Sequence, residues 1–97
     1  MLPEKRVEIK IKNYLVSVGA YFEKIHGGSI YQSAGIPDIL ACINGRFVAI
    51  EVKKPNGGEL SALQKLKLKQ IEESGGIGIV ARSVQEVQDR LKRENII

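Results

Sequence analysis

The chain has 97 residues, 43% hydrophobic and 27% charged, which predicts one globular domain with a single modest core. No apolar run approaches the roughly 18 residues that span a bilayer, and the N-terminal segment is too charged for a signal peptide. A single cysteine, Cys42, excludes a disulfide framework and a cysteine-rich zinc site, so a buried structural thiol is expected. We expect a cytoplasmic protein.

The charge balance is compatible with a polyanionic partner. The net charge is +4 and the isoelectric point is near 9.3. Because the chain has two Phe, three Tyr and no Trp, we do not expect stacking on single-stranded bases to dominate binding.

An amphipathic helix is predicted from Pro3 to about Val18, with Gly19 as its stop. Apolar residues recur at helical spacing, namely Val7, Ile11, Tyr14, Leu15 and Val18. Glu4 and Glu8 both flank this stripe, so either could reach a site at the edge of the core. Glu4 could instead complement the helix dipole, and Glu8 is the favoured site residue.

A short strand is predicted at Tyr21–Ile25, and a glycine-rich loop follows at residues 26–35. This loop is either a plain surface segment or a segment that contacts substrate. His26 is the only histidine, so a zinc centre has no second imidazole, and a role as general base has no further support.

Asn44-Gly45 lies between two apolar runs, the strongest short-range signal for a two-residue hairpin with a type I′ turn. Counting outward pairs Ile43 with Arg46 and, at the open end, Asp38 with Glu51. The two carboxylates are then about 5 Å apart, where like charges destabilise each other. We therefore expect a divalent cation to bind between the two carboxylates and offset their repulsion.

Lys53 is predicted to join this pair. Because side chains alternate along a strand, Glu51 and Lys53 point to the same face. Ile36 precedes Pro37 and must be extended, which leads the chain into the strand near Asp38. Two acids and one amine therefore form a candidate metal site with a catalytic lysine.

A second helix is predicted from the capping box at Ser61–Gln64 to about Ser74, followed by Gly75-Gly76. Its apolar contacts are expected from Leu63, Leu66, Leu68 and Ile71, and its basic face from Lys65, Lys67 and Lys69. The residues of this segment alone favour Gln64 as a capping residue.

The remaining segments are a strand at Ile77–Ala81 and a helix that opens with a second capping box at Ser83–Glu86. That helix is expected to be structural, with Val84, Val87 and Leu91 inward. The predicted order is α, β, β, β, α, β, α, which is an α/β fold.

The ordered set of motifs resembles the PD-(D/E)XK nuclease superfamily. The set comprises a glutamate-bearing helix, Gly35-Ile36-Pro37-Asp38, Ile50-Glu51-Val52-Lys53, and Ser61 with Gln64 before a helix. It is most similar to the VRR-NUC (virus-type replication-repair nuclease) branch in its stand-alone form. The resemblance covers almost all of residues 1–97 as one domain and implies a restriction-endonuclease-like αβββαβα core with a mixed sheet flanked by helices.

The resemblance implies a metal-dependent DNA endonuclease. In this family the equivalents of Asp38 and Glu51 bind Mg²⁺ or Mn²⁺, and the backbone carbonyl of Val52 is a further ligand. Lys53 would position or activate the attacking water. The oxygen-rich residue set is itself typical of Mg²⁺ or Mn²⁺ rather than zinc.

The helix-borne glutamate of the family corresponds best to Glu8, as a catalytic and metal-binding residue, with Glu4 as the rival. Gln64 matches a family glutamine, which raises the expectation of a site role above that of a cap. The resemblance also implies a homodimer that acts on branched DNA, similar to a Holliday-junction resolvase.

Two other interpretations remain open. The chain could be a non-catalytic DNA-binding module with the same fold, or Asp38, Glu51 and Lys53 could form only a surface ion cluster. DNA binding without cleavage would favour the binding module. A melting temperature that does not change with metal would favour the surface ion cluster.

Overall fold

The computed structural model describes residues 1–27 and 32–97. In chain order it contains α1 (Pro3–Ser17), β1 (Tyr21–Lys24), β2 (Ile39–Ile43), β3 (Arg46–Val52), α2 (Ala62–Glu73), β4 (Ile77–Ala81) and α3 (Val84–Arg93). This is the predicted element order and the predicted α/β class. No helix in the described ranges is long and apolar enough to cross a bilayer.

The hairpin between β2 and β3 has the predicted turn. The φ angles are 49° at Asn44 and 82° at Gly45, in the left-handed region that a type I′ turn requires. The pairs run from Ile43–Arg46 to Ile39–Ile50, which is the predicted register throughout this ladder.

The four strands form one mixed sheet in the order β1-β2-β3-β4. β2 is antiparallel to both of its neighbours, β1 and β3, whereas β3 and β4 are parallel and α2 makes the crossover between them. Because β3 and β4 end at the same edge, the residues after both strands meet there, and Lys53 N–H donates to the carbonyl of Ala81 at 2.9 Å.

The main core lies between one face of the sheet and helices α1 and α3. The helices contribute Val7, Ile11, Leu15, Val87 and Leu91, and alternate strand residues contribute the other side. Full burial of each large aliphatic side chain stabilises the fold by about 1.5–3 kcal/mol. This face positions α1 so that its first turns reach the edge where β3 ends.

Helix α2 packs on the opposite face, against β3 and β4. Leu68 is its one buried residue in the described structure, and Gln64 and Ile71 lie partly buried on the same stripe. The predicted inward positions of Leu63 and Leu66 are wrong, because these residues lie off that stripe and are 49% and 46% exposed.

Cys42 is exposed, so the prediction of a buried thiol is wrong. On β2, residues Ile39, Ala41 and Ile43 face the core, and alternation turns Cys42 to the other face. Since α2 covers β3 and β4 and does not reach β2, that face is open at Cys42.

The box predicted at the start of α3 forms only in part. Ser83 Oγ accepts a hydrogen bond from the backbone N–H of Glu86 at 3.2 Å, as expected. The Glu86 carboxylate accepts instead from the backbone N–H of Arg82 at 2.7 Å, one residue earlier than in a capping box.

Candidate active site

Asp38 and Glu51 meet at the open end of the hairpin. Asp38 directly precedes β2, and its Oδ2 atom accepts a hydrogen bond of 2.7 Å from the backbone N–H of Val52. Its carboxyl group lies within hydrogen-bonding reach of the Glu51 carboxyl. The structure therefore brings together the two acids that the hairpin register predicts, one step beyond the last ladder pair.

Glu51 is buried, with only 3% of the residue exposed. Burial, and then the hydrogen bond and charge of Asp38, raise the pKa of Glu51 from 4.5 to about 8, against a lowering effect of Lys53. Its Oε2 atom is buried without a hydrogen-bond partner among the described residues. Such an oxygen is destabilising unless a donor or cation reaches it, so this acid pair fits a hard divalent cation.

Gln64 caps α2 and also contacts the acid pair. Its backbone N–H donates to Ser61 Oγ at 3.1 Å and its Oε1 accepts from the backbone N–H of Ser61 at 2.9 Å, which completes the capping box. Its Nε2 donates to Glu51 Oε1 at 3.2 Å. The capping and site roles therefore coexist in one side chain.

Lys53 lies on the same side of the strand as Glu51. Its Nζ donates a long hydrogen bond of 3.4 Å to Gln64 Oε1, and its charge acts to lower the pKa of Glu51. Glu51, Lys53 and Gln64 thus form one connected group at the edge of the sheet.

Glu8 is buried among lysines, with 7% of the residue exposed. Its carboxylate oxygens lie 2.9 Å from Lys5 Nζ, 3.2 Å from Lys12 Nζ and 3.6 Å from Lys24 Nζ. Burial acts to raise the pKa of Glu8, but hydrogen bonds from Lys5 and Lys12 and the charge of Lys24 outweigh it, and the pKa lies below its ordinary value.

Lys24 connects Glu8 to the acid pair, because its Nζ also lies 3.6 Å from Asp38 Oδ1. Glu4 is exposed, and its charge contributes weakly to the raised pKa of Glu51. Both helix glutamates are therefore near the site, and the choice between them stays a prediction.

Within residues 1–27 and 32–97, no three His, Cys, Asp or Glu side chains are grouped so as to hold a metal ion together. Asp38 and Glu51 form a pair, and the Lys24 ammonium lies between Asp38 and Glu8. A cation at this pair would need further oxygen ligands, and the carbonyl of Val52 remains the predicted one.

The predicted glycine-rich loop at 26–35 lies partly outside the described residues, since 28–31 are not among them. Its contact with substrate therefore stays a prediction, and His26 is exposed.

Sequence reasoning missed two basic residues near the site. Lys24 is the last residue of β1 and pairs with Ile39, which brings it next to Asp38. No tight turn determines this strand pairing. The Arg82 guanidinium donates to the carbonyls of Lys54, Gly57 and Gly58, so it holds the loop that follows Lys53. The sequence did offer one signal for Lys24: it stands near the end of a predicted strand, and pairing of that strand with β2 would bring it beside Asp38.

Solved structures similar to this chain include two described as VRR_NUC domains. One, described as "VRR_NUC domain", has a TM-score of 0.78 and 24% sequence identity over 96% of this chain and 97% of that one. The other, described as "VRR_NUC domain protein", has a TM-score of 0.74 and 20% identity over 94% of this chain and 86% of that one. No protein-family model matches the sequence, and no curated protein matches it.

Proposed function

We propose that this chain, whose fold is that of a VRR-NUC domain, is a metal-dependent deoxyribonuclease that hydrolyses phosphodiester bonds. The observation that carries the proposal is the pair formed by the partly exposed Asp38 and the buried Glu51, with Lys53 beside it. Within the described residues, the Oε2 atom of Glu51 has no hydrogen-bond partner. A bound cation would supply the missing partner of this oxygen.

In this mechanism Asp38 and Glu51, with the backbone carbonyl of Val52, would hold Mg²⁺ or Mn²⁺. Such an ion would supply Lewis acidity toward the phosphodiester and the attacking water. The Lys53 ammonium orients the attacking water and adds positive charge where negative charge develops on the phosphate. Gln64 contacts both Glu51 and Lys53 and so keeps them in place.

The test is cleavage of labelled duplex, flap and four-way-junction DNA with Mg²⁺, with Mn²⁺ and with EDTA. We expect cleavage only with metal, and Lys53→Met should lower the rate by about 10²-fold or more. Lys69→Met is the matched control, because Lys69 lies on the surface of α2 with a side chain 74% exposed. Binding without cleavage under every condition overturns the enzyme and favours a non-catalytic DNA-binding module.

We further propose that the protein acts on branched DNA as a homodimer, similar to a Holliday-junction resolvase. Two sites related by a two-fold axis can cut matching strands of a junction, which one small domain does not do alone. Exposed apolar side chains on and beside α2 offer a surface for a second copy, since Phe47 and Leu66 are each 46% exposed and Leu63 49%. A groove of about 460 Å³ beside them is lined in part by Leu40 and Ile71.

Gel filtration with light scattering tests the dimer. We expect twice the 10.7 kDa mass of the chain, and faster cleavage of a junction than of a duplex. Leu66→Glu should give a monomer, whereas Val16→Glu should not, because Val16 is 67% exposed on α1, away from α2. A monomer at micromolar concentration, even with junction DNA, contradicts the dimer.

A further inference from the structure

Lys24 is held between two of the acids near the candidate site. It is the last residue of β1 and pairs with Ile39, which directly follows Asp38. Its Nζ lies 3.6 Å from Glu8 Oε1 and 3.6 Å from Asp38 Oδ1, so one ammonium group bridges a helix carboxylate and a hairpin carboxylate.

The lysines around Glu8 are not equivalent. Lys5 and Lys12 approach it from the same helix with side chains 52% and 32% exposed. Lys24 approaches from the sheet, its side chain is only 22% exposed, and it alone of the three also reaches Asp38 in the described contacts. Lys24 is therefore the structural link between Glu8 and the acid pair.

The two buried glutamates have opposite electrostatic surroundings. Three ammonium groups lie within 3.6 Å of the Glu8 carboxylate, so its negative charge is already compensated. Glu51 faces a second carboxylate, and among the described residues its Oε2 atom has no partner. A divalent cation would therefore meet an unpartnered carboxyl oxygen at Glu51, whereas the Glu8 oxygens already face ammonium groups.

An ammonium group and a divalent ion cannot both occupy the space between Glu8 and Asp38. Like charges about 4 Å apart repel strongly in a partly buried site. While Lys24 lies beside Asp38 Oδ1, the oxygen left for a metal is Oδ2, which also accepts from Val52 N–H.

We propose that Lys24 takes the place of a second cation, so that the site holds one divalent ion, bound by Asp38 and Glu51, while Glu8 binds Lys24 and not the metal. The inference rests on the proposed metal-dependent function. It makes Lys24 and Glu8 positioning residues, with Glu8 keeping the ammonium beside Asp38.

The test counts Mn²⁺ ions bound per chain, by electron paramagnetic resonance of free Mn²⁺ and by isothermal titration calorimetry. We expect one ion for the wild type, and two for Lys24→Met, in which Glu8 Oε1 and Asp38 Oδ1 lose their shared ammonium group while Lys5 and Lys12 stay at Glu8 Oε2. Lys24→Arg should restore the count of one. Lys12→Met is the matched control and should also bind one, because Lys12 contacts Glu8 but does not bridge to Asp38.

Glu8→Gln distinguishes the proposed role of Glu8 from that of a metal ligand. We expect one Mn²⁺ with an affinity within about threefold of wild type, whereas loss of a direct ligand weakens binding at least about tenfold. Tenfold weaker binding, two ions in the wild type, or one ion in a folded Lys24→Met overturns the inference. If Lys24→Met does not fold, the wild-type count and Glu8→Gln decide it.

The metal-dependent function and this inference fail in different ways. A wild-type protein that binds no Mn²⁺ overturns both. Two ions bound by a wild type that cleaves DNA overturns only the role of Lys24.

Discussion

The backbone N–H of Val52 donates a 2.7 Å hydrogen bond to Oδ2 of Asp38, so one acid of the candidate site is held by the strand that carries the other. Asp38 lies one residue before β2, beyond the last pair of the β2–β3 ladder, and its backbone carbonyl accepts from Ile25 N–H at 2.7 Å on the other side. The bond from Val52 therefore extends the hairpin register to the point where Asp38 and Glu51 meet.

Asp38→Asn should separate the metal-binding role of Asp38 from its structural role. The amide oxygen can still accept from Val52 N–H, and the charge that opposes ionisation of Glu51 is removed together with a 3.6 Å ion pair to Lys24, so in EDTA we expect an unfolding free energy close to wild type. Asp38→Ala leaves Val52 N–H without this acceptor and should be less stable than Asp38→Asn by about 1–3 kcal/mol. Urea unfolding measures both, and equal stabilities contradict the structural role. Both variants should lose tight Mn²⁺ binding.

The raised pKa of Glu51 predicts a pH dependence of the metal-free protein. Folded Glu51 keeps its proton up to about pH 8, whereas the unfolded chain loses it near the ordinary value of 4.5. Because the folded state binds more protons between these values, stability is highest below them and falls as the pH rises to about 8.

Glu51→Gln removes this titration. In EDTA at pH 8 it should be more stable than wild type by on the order of 1–3 kcal/mol, since no charged oxygen remains buried without a partner. Thermal melts from pH 5 to about pH 8 measure the effect. Glu59→Gln, in an exposed loop, is the control and should keep the wild-type slope. A wild type as stable at the upper end of this range as at the lower end would contradict the prediction.

The two roles of Gln64 can be tested separately. Gln64→Glu keeps a residue suited to the capping box, but it removes the donor to Glu51 and adds a like charge there. We expect cleavage to fall by about 10²-fold. Ser61→Ala breaks the box and should lower stability by about 1 kcal/mol, with cleavage close to wild type. Single-turnover rates and melting temperatures distinguish these outcomes, and equal cleavage losses in both variants would reduce Gln64 to a cap.

Gly35 determines how closely the segment before Asp38 approaches α2. Its φ is +81°, and a Cβ atom there would lie 2.9 Å from the backbone of Leu63, the residue before Gln64. Gly35→Ala should therefore be destabilising and should also displace Gln64.

Gly19→Ala is the control for Gly35→Ala. Gly19 has a similar φ of +73°, but in the described structure no other group lies within 4 Å of its added Cβ. We expect it to lose about 1–2 kcal/mol from backbone strain alone, with cleavage retained. Gly35→Ala should lose more stability and also cleavage, as measured by urea unfolding and single-turnover rates. Equal losses in the two variants would show that the close approach to Leu63 has no effect.

Local chemistry decided the parts of this protein that the sequence predicts well. Asn44-Gly45 determines a turn type, the turn determines the register, and the register brings Asp38 to Glu51. Ser61 and Gln64 likewise determine where α2 begins, because both capping hydrogen bonds join residues three apart. These features depend on backbone angles and hydrogen bonds within a few residues, which the residue types specify directly.

Tertiary packing alone decided the rest. The pairing of β1 with β2 brings Lys24 to Asp38, and the reach of α2 across only β3 and β4 leaves Cys42 exposed. The raised pKa of Glu51 likewise follows from burial by elements distant in sequence. Burial and long-range pairing depend on which faces the whole chain covers, and no short stretch of sequence contains that information.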